Sequence, residues 1–492
     1  MYSMQIDYQV AIIGAGFGGI IAALKLKNSN RGSFIIFEKA NEVGGVWRDI
    51  TYPGCTCDVK SDLYSIASEP NPNWSSSFAN QPEIFNYLKN IVQKNDLQKY
   101  ISYETLITKM KFIEENGCWE LTDQHGKNYI VKLVILASGP INQPSIPAFT
   151  GHNTFKGKIF HSAEWDSSYD LSGKKAAVIG TGASAIQIIP NIAPVASELF
   201  VFQRTPAWVL PRGEVKNSAK KRWLYRNLPV IQKFNRGFIY WSNELVGSAF
   251  FGNTFMHKLL RSIASKKLLK EVHDPVIRKG LTPNYKMGCK RILVSDDFYP
   301  TFNKPNVHLV SDNIREITPN GIRTSDGRDY EVDAIVFATG FVIADVDNYV
   351  KTEGRNGHSL AEYWTRNGTE AYLGLNVCNF PNLLLLLGPN SGLGHTSMVH
   401  IMESQINYMI HYLEQIEKNG EKSYLDVKPE VQRAYNNELQ KKLKTTVWSS
   451  GCNSWYLNKD GKNVSIYPGL AFQYRQKTKK FDVNNYVVGN IP

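Results

Sequence analysis

The chain has 492 residues, 42% hydrophobic and 20% charged, with a formal net charge of +12. That composition belongs to a globular protein of two or three domains and excludes disordered, fibrous and small disulfide-stapled classes. The longest apolar run of the C-terminal third, Leu383 to Leu387, is far too short to span a bilayer, and Met1 to Gln9 shows no basic leader, so a cytoplasmic protein is expected.

Tyr8 to Ile13 (YQVAII) reads as a strand buried on both faces. Gly14-Ala-Gly-Phe-Gly-Gly19 follows and opens a helix through Leu26, and Ser33 to Phe37 is a second buried strand. Gln81 to Val92 has helical apolar spacing with Pro82 in its first turn, and Val131 to Ala137 is another strand. A second unit starts near residue 150. Lys175 to Ile179 is its strand, Gly180-Thr-Gly-Ala-Ser-Ala185 opens a helix to about Ile189, and Leu199 to Gln203 is the next strand. A basic, aromatic-rich helical insertion interrupts this unit from 213 to 291, with helical runs at Lys220 to Leu228 and Lys258 to Lys270. Residues 333–341 read as a strand and turn returning the chain to the first unit, and Glu403 to Leu413 as a helix.

The charge is localised. The 213–291 segment carries 17 Lys/Arg against 4 Asp/Glu, a net +13, so the rest of the chain sums to −1. No nucleic-acid motif accompanies it, so no nucleic-acid partner is expected. The preferred reading is a solvated helical surface that steers an anionic cofactor, with contact to anionic lipid as the lesser reading. Six cysteines (55, 57, 118, 289, 378, 452) are scattered over the chain; they form no disulfide framework and suit a reducing compartment. No cluster has metal-ligand spacing, and no nucleophile motif such as GxSxG appears.

A single GxGxxG is a weak signal, but here each of two copies follows a strand and opens a helix, the context of a Rossmann dinucleotide site. Gly14 makes the tight turn, Gly16 lets backbone approach a pyrophosphate, and Gly19 lets helix and strand pack. Gly180, Gly182 and Ser184 open the second copy, where Ala185 replaces the third glycine. The second strands separate the cofactors. Glu38, 24 residues after Gly14, suits ribose hydroxyls and repels a 2′-phosphate, so the first site reads as FAD or NAD, and as FAD once the second is read as NADPH, since the two together imply a flavin reduced by NADPH. Arg204, at the same offset from Gly180 and followed by Thr205, suits a 2′-phosphate, so the second reads as NADPH. Ala338-Thr339-Gly340 ends a late strand and suits a backbone contact near the flavin. The fold class is therefore α/β, with two Rossmann-like domains and a helical insertion in the second. Expected boundaries are 1–148 and 326–492 for the FAD domain, 149–212 and 292–325 for the NADPH domain, and 213–291 for the insertion.

The segment Phe155-Lys-Gly157-Lys-Ile-Phe-His161-Ser-Ala-Glu-Trp165-Asp166 matches FxGxxxHxxxW(P/D), and residues 44–58 run Gly44-Gly45-Val-Trp47 to Tyr52-Pro53-Gly54 and Asp58. On these motifs, with Gln203-Arg204-Thr205-Pro206, Gly388-Pro389-Asn390 and Ser454-Trp455-Tyr456, the chain resembles the type I Baeyer–Villiger monooxygenases along nearly its whole length. The resemblance implies oxidation of a ketone to an ester or lactone with NADPH and O2 through a C4a-peroxyflavin. It assigns Lys290 to the NADPH phosphate, Arg291 to catalysis, Trp455 to the NADP and substrate side, and His161 to the linker between domains, where it couples cofactor binding to domain orientation.

The chemistry supports the same reading. An ionised flavin peroxide attacks a carbonyl carbon, and a guanidinium that never titrates near neutrality favours the anion and the tetrahedral oxyanion after it. Lys290 and Arg291 are neighbours at the mouth of an extended segment and point to opposite faces, which leaves two readings of the residues alone: one cation on the phosphate and the other on the flavin, or both exposed at the end of the basic insertion. Asp58 is expected to orient Arg291 by a two-point ion pair. Cys55 and Cys57 have the wrong spacing for a dithiol reductase. Two other functions stay open at this point: an N- or S-oxygenating flavin monooxygenase, and a non-catalytic flavoprotein that binds a partner or membrane through the insertion. The ketone and the oligomeric state are not legible.

Overall fold

The computed structural model describes residues 5–141, 143–342, 350–420, 423–452, 454–458 and 460–489. The first unit is built on a sheet in the order Lys351–Glu353, Ile107–Ile113, Cys118–Asp123, Asn128–Leu136, Tyr8–Ile13, Phe34–Phe37, Ile101–Ser102, with Leu383–Leu385 also pairing Asn128–Leu136. Tyr8–Ile13 lies in parallel between Phe34–Phe37 and Asn128–Leu136. That central place explains its apolar run, since a strand covered on both faces has no water-facing side. Helix Phe17–Ser29 and the long helix Met398–Asn419 share the core cluster under this sheet.

The second unit holds a parallel sheet in the order Val307–Val310, Glu198–Phe202, Lys175–Ile179, Ala334–Phe337, Lys158–His161. This corrects one expectation. Ala334–Phe337 does not return the chain to the first unit: it is inserted between Lys175–Ile179 and Lys158–His161 and is wholly buried. Four consecutive apolar residues fit the middle of whichever sheet has a gap, and strand chemistry alone does not say which. The expected boundary at 326 also falls inside an antiparallel meander, Ile314–Thr318, Gly321–Thr324 and Asp329–Glu331.

Helices Ala219–Asn227, Pro229–Gly247, Thr254–Glu271 and Pro275–Gly280 make up the insertion. Side-chain oxygens of Ser218, Asn253 and Asp274 cap three of them, and proline starts two. At its base, Val209–Leu210 pairs in parallel with Leu293–Val294, so the chain leaves and re-enters at one point. The inner face of Pro229–Gly247 is fastened to the first unit. Arg236 Nη1 donates to the carbonyls of Asp62, Leu63 and Ser65, Gln232 and Asn235 donate to the Asp62 carboxylate, and Glu244 accepts from the backbone N–H of Ala471 and Phe472.

The reading of all six cysteines as separate thiols is also corrected. Cys289 and Cys452, 163 residues apart, form a disulfide with 6.0 Å between their Cα atoms. The strand pair at the base of the insertion returns Cys289 to the loop that carries Cys452, a proximity with no trace in local sequence. The other four cysteines are free and buried.

Candidate active site

The first glycine turn is shaped by close approach. Gly14 has φ +105°, and a Cβ there would lie 2.9 Å from the Ala137 carbonyl oxygen, while one on Gly19 would overlap the Gly14 carbonyl oxygen. Gly16 caps the helix Phe17–Ser29, where free N–H groups favour an anion. A Cβ on Gly16 would meet only the Gly45 Cα, at 3.7 Å, and Gly45 in turn faces Gly16 at 3.2 Å. Two glycine turns thus meet back to back, joined by the Gly44 N–H to the Ala15 carbonyl. The open side of Gly16 is the cradle a pyrophosphate needs.

Glu38 stands at the end of its strand, buried, with Oε2 accepting from Ala15 N at 2.8 Å and Oε1 from Ala40 N at 3.0 Å. Arg48 Nη1 donates to Oε1 at 3.1 Å. Arg48 was not singled out from the sequence although it lies inside the Gly-Gly-x-Trp pattern; its signal was the neighbour position to Trp47. Asn390, at φ +53°, donates through Nδ2 to the carbonyls of Asn463 and Ile466, and its buried Oδ1 has no partner. That orphan acceptor beside the first unit is a place for a donor from a bound group.

The loop from Trp47 to Asp58 crosses to the second unit. Trp47 packs against the cores of both units, and its Nε1 donates to Tyr64 Oη at 3.1 Å. Tyr52 and Cys55 sit in the second unit's core. Gln187, on helix Ala185–Ile192, accepts from Tyr52 Oη and Thr56 N through Oε1 and donates to the Thr56 carbonyl through Nε2. A Cβ on Gly54, φ +78°, would overlap the Asn191 side chain. Gln187 and Asn191 are thus the receptors for Tyr52-Pro53-Gly54, partners that sequence reading missed because they lie about 135 residues away. Burial pushes the Cys55 thiol up to about 11 and holds that of Cys57 well above its ordinary value.

Asp58 ends this loop against Arg291. Both Nε and Nη2 of Arg291 donate to Asp58 Oδ2, at 3.2 and 2.5 Å. The contact differs from a two-oxygen fork: one edge of the guanidinium converges on a single oxygen. The two side chains are 27% and 32% exposed. Burial works against the Asp58 charge, but Arg291 beside it outweighs this and the carboxyl stays below its ordinary value. Asp58 in turn raises the Arg291 pKa against the opposing effect of burial. Tyr456 is buried next to this charge, and burial raises its pKa to about 12.

Around the second glycine turn, Gly180 has φ +115°, and a Cβ there would lie 2.5 Å from the Ala338 carbonyl oxygen. Gly182 has no protein atom within 4 Å of a Cβ, and Ser184 precedes the helix with no side-chain cap bond. Thr205 accepts from Thr181 Oγ1 through its carbonyl at 3.2 Å. Lys290 lies with its Nζ 5.2 Å from the centre of the Tyr285 ring, and burial, then nearby Arg204, lowers its pKa. Among the described residues the only charged group acting on Lys290 is another cation, Arg204. Two adjacent cations left uncompensated form a receptor for a multiply charged anion.

The FxGxxxHxxxW segment supplies the edge strand Lys158–His161. Gly157 is obligatory, since a Cβ would overlap the Asp333 carbonyl oxygen and lie 2.6 Å from the Phe155 ring. Phe155 packs on the core cluster over this sheet, and Trp165 sits edge-on to Phe160 at 4.7 Å. Asp166 pairs with Lys158 Nζ at 2.6 Å. His161 is buried opposite Phe337 and edge-on to Phe341 at 5.8 Å. Its Nδ1 accepts from Ala163 N, its Nε2 has no partner, and burial lowers its pKa. Next to it the turn Ala338-Thr339-Gly340 is held by Thr339 Oγ1 to the Ser145 carbonyl at 2.5 Å and Ser145 N to the Gly340 carbonyl at 2.9 Å. Trp455, 47% exposed, lies 4.3 Å from Tyr456 ring to ring and is not a core aromatic. The Cys289–Cys452 disulfide joins its loop to the turn that carries Lys290 and Arg291.

Comparison with known proteins agrees with this arrangement. A family model described as FMO-like, flavin-binding monooxygenase-like, matches residues 7–350. A Baeyer–Villiger monooxygenase of Streptomyces coelicolor is 41% identical over 98% of this chain and 92% of its own length. One of Pseudomonas aeruginosa is 42% identical with the same coverage. Among solved structures, OTEMO in complex with FAD and NADP superposes with a TM-score of 0.88 at 28% identity, covering 99% of this chain and 100% of that one. Closed cyclohexanone monooxygenase superposes at 0.86 and 27%, with the same coverage. The two glycine turns, the Asp58–Arg291 pair and relatives matched over almost their full length place this chain in the flavin-binding monooxygenase-like family, among the Baeyer–Villiger monooxygenases.

Proposed function

We propose that the chain converts a ketone to an ester or lactone: one oxygen atom of O2 enters the bond between the carbonyl carbon and a neighbouring carbon, the other leaves as water, and NADPH supplies two electrons. The observation that carries this reading is the Arg291 guanidinium fixed on Asp58, at the end of a first-unit loop that Gln187 of the second unit holds. FAD, when bound, supplies the activation of O2. Gly14, Gly16, Gly19, Glu38, Gly45, Trp47 and Asn390 hold it, with the Thr339-Gly340 turn near its flavin end. The fit rests on the open side of Gly16 and the orphan Asn390 acceptor. Gly180, Gly182, Ser184, Arg204, Thr205, Lys290 and Trp455 hold NADPH, with Arg204 and Lys290 on its 2′-phosphate.

The chain's own work is electrostatic. Oxygen addition to the carbonyl carbon puts negative charge on the carbonyl oxygen. Arg291 presents a charge that does not titrate in the working range and costs no reorganisation when the oxyanion develops. Asp58 keeps its donating edge in place and stops the side chain swinging toward water. His161, buried at the end of the fingerprint strand beside Phe337 and the Ala338–Gly340 turn that follows it, transmits the position of one unit to the other.

The test is product analysis with NADPH, 18O2 and a panel of linear, cyclic, aromatic and steroid ketones. One labelled oxygen in the ester, with NADPH consumed in equal amount, supports the reading. Sulfoxide from a thioether with no ester from any ketone overturns it.

A further inference from the structure

Surplus charge and exposed apolar surface fall on the same helices. On Pro229–Gly247, Val230, Phe234, Phe238, Trp241 and Leu245 recur every three or four residues and so form one stripe along the helix, each between 59% and 78% exposed. The stripe has no route inward, because Gln232 and Arg236 fasten the opposite face to the first unit, and Asn235 and Glu244 fasten its flanks. On Thr254–Glu271, exposed Phe255, Leu259 and Ile263 repeat at a spacing of four. Exposed Lys258, Arg261, Lys266 and Lys270 alternate with them, and Lys220, Arg226 and Lys233 flank the first stripe. Single exposed apolar residues need no explanation, but ordered stripes of large ones on consecutive helices do.

We propose that the insertion docks this protein on a membrane surface of anionic lipid, its apolar stripes in the boundary between headgroups and acyl chains and its lysines and arginines on the headgroups. Charge complementarity selects this occupant. Lys220, Arg226, Lys233, Lys258, Arg261, Lys266 and Lys270 are exposed on these helices, whereas their two acids, Glu244 and Glu271, are not, so a second copy seated on the same face would set that cationic excess against itself. A nucleic acid would satisfy the cations but not Val230, Leu245, Leu259 and Ile263, which offer no ring for a base to stack on. Aromatic and aliphatic residues on one face with lysine and arginine beside them are the signature of an interfacial helix. Among the described residues no helix is long and apolar enough to cross a membrane, so the contact is peripheral.

The full chain loaded with FAD is floated with vesicles of phosphatidylcholine alone, or mixed with phosphatidylglycerol, at low and high salt. The expected result is binding to phosphatidylglycerol vesicles only, lost at high salt as the screening length falls from ~30 Å at 0.01 M to ~3 Å at 1 M. Phe234→Ser with Phe238→Ser should weaken it by about tenfold per ring, and Lys258→Glu with Arg261→Glu should abolish it at low salt. Retained flavin and NADPH oxidation in solution show that each variant is folded, and the charge pair decides if the aromatic pair is not. Absence of binding at low salt overturns the proposal, as does undiminished binding by the folded variants. So does self-association in sedimentation velocity that Phe234→Ser with Phe238→Ser removes.

Discussion

Substitution at Arg291 and at Asp58 should give losses of different size and kind. Asp58 touches Arg291 through one oxygen, with donors at 3.2 and 2.5 Å. A hydrogen bond to a charged group is worth ~1.5–3 kcal/mol when buried. With both side chains close to a third exposed, solvent screening reduces that to ~1–2 kcal/mol. At 1.36 kcal/mol per tenfold, Asp58→Ala should lower the rate of ester formation by ~5–30-fold, because Arg291 remains and only its orientation suffers. Arg291→Ala removes the charge facing the oxyanion and should cost ~10²–10³. NADPH oxidation should continue in both, with H2O2 replacing ester. Arg291→Lys should recover little, since an ammonium cannot present two donors from one rigid edge. Asp58 is ionised below the ordinary carboxylate range and Arg291 above the ordinary guanidinium range. The pair is therefore complete at all usual assay pH values and is lost only as pH falls through the depressed Asp58 value, so the acid limb of activity should stay in place in Asp58→Asn. Ester by gas chromatography, with NADPH and H2O2 measured alongside, decides the matter. Near wild-type coupling in Arg291→Ala would refute the role of the guanidinium, and an Asp58→Ala loss as deep as that of Arg291→Ala would refute a positioning role for the carboxylate.

Arg204→Ala should raise KM for NADPH by ~10–100-fold and leave that for NADH nearly unchanged, since one charge-assisted contact to the 2′-phosphate is lost; an unchanged preference for NADPH in steady-state kinetics speaks against this receptor. Gly16→Val should purify colourless, because its side chain fills the open cradle. Gly182→Val, with no protein atom to clash, should stay yellow but fail to be reduced by NADPH under anaerobic mixing, and a colourless Gly182→Val protein would reverse the order of sites. Cys452→Ser should lower Tm and raise KM for NADPH, because the disulfide closes a loop of 163 residues and joins the Lys290-Arg291 turn to the Trp455 loop; equal Tm and KM in variant and wild type would show that the link does neither.

The parts of the fold that were legible in sequence are those with local causes. Tyr8–Ile13 and Lys175–Ile179 were located to the residue because a strand covered on both faces must be apolar throughout, and each is followed at once by a glycine turn. The insertion was visible as a break in composition and charge. What escaped depends on contacts distant in sequence. Ala334–Phe337 is as apolar as any strand of either sheet, so its chemistry fits both and only its partners assign it. Ile107–Ile113 and Cys118–Asp123 form an antiparallel pair whose water-facing positions dilute the apolar signal, and neither was singled out. In the site, Gly14, Gly16 and Gly180 announced themselves by spacing, whereas Arg48 and Gln187 matter through side-chain partners that no spacing encodes.

The position of Arg291 has three separate supports, and they come from different parts of the chain. The strand pair Val209–Leu210 with Leu293–Val294 belongs to the second unit and sets where its backbone emerges. Asp58 sets the direction of its side chain, and Asp58 is itself carried on a first-unit loop held by Gln187 of the second. The disulfide at Cys289 ties the preceding turn to the Trp455 loop. Because Asp58 and Leu293 belong to different units, any change in how the units sit moves the guanidinium relative to one of its supports. On the proposed role of Arg291, the site is therefore assembled only in a particular arrangement of the two units, in which Asp58 and the Leu293–Val294 strand meet at the guanidinium.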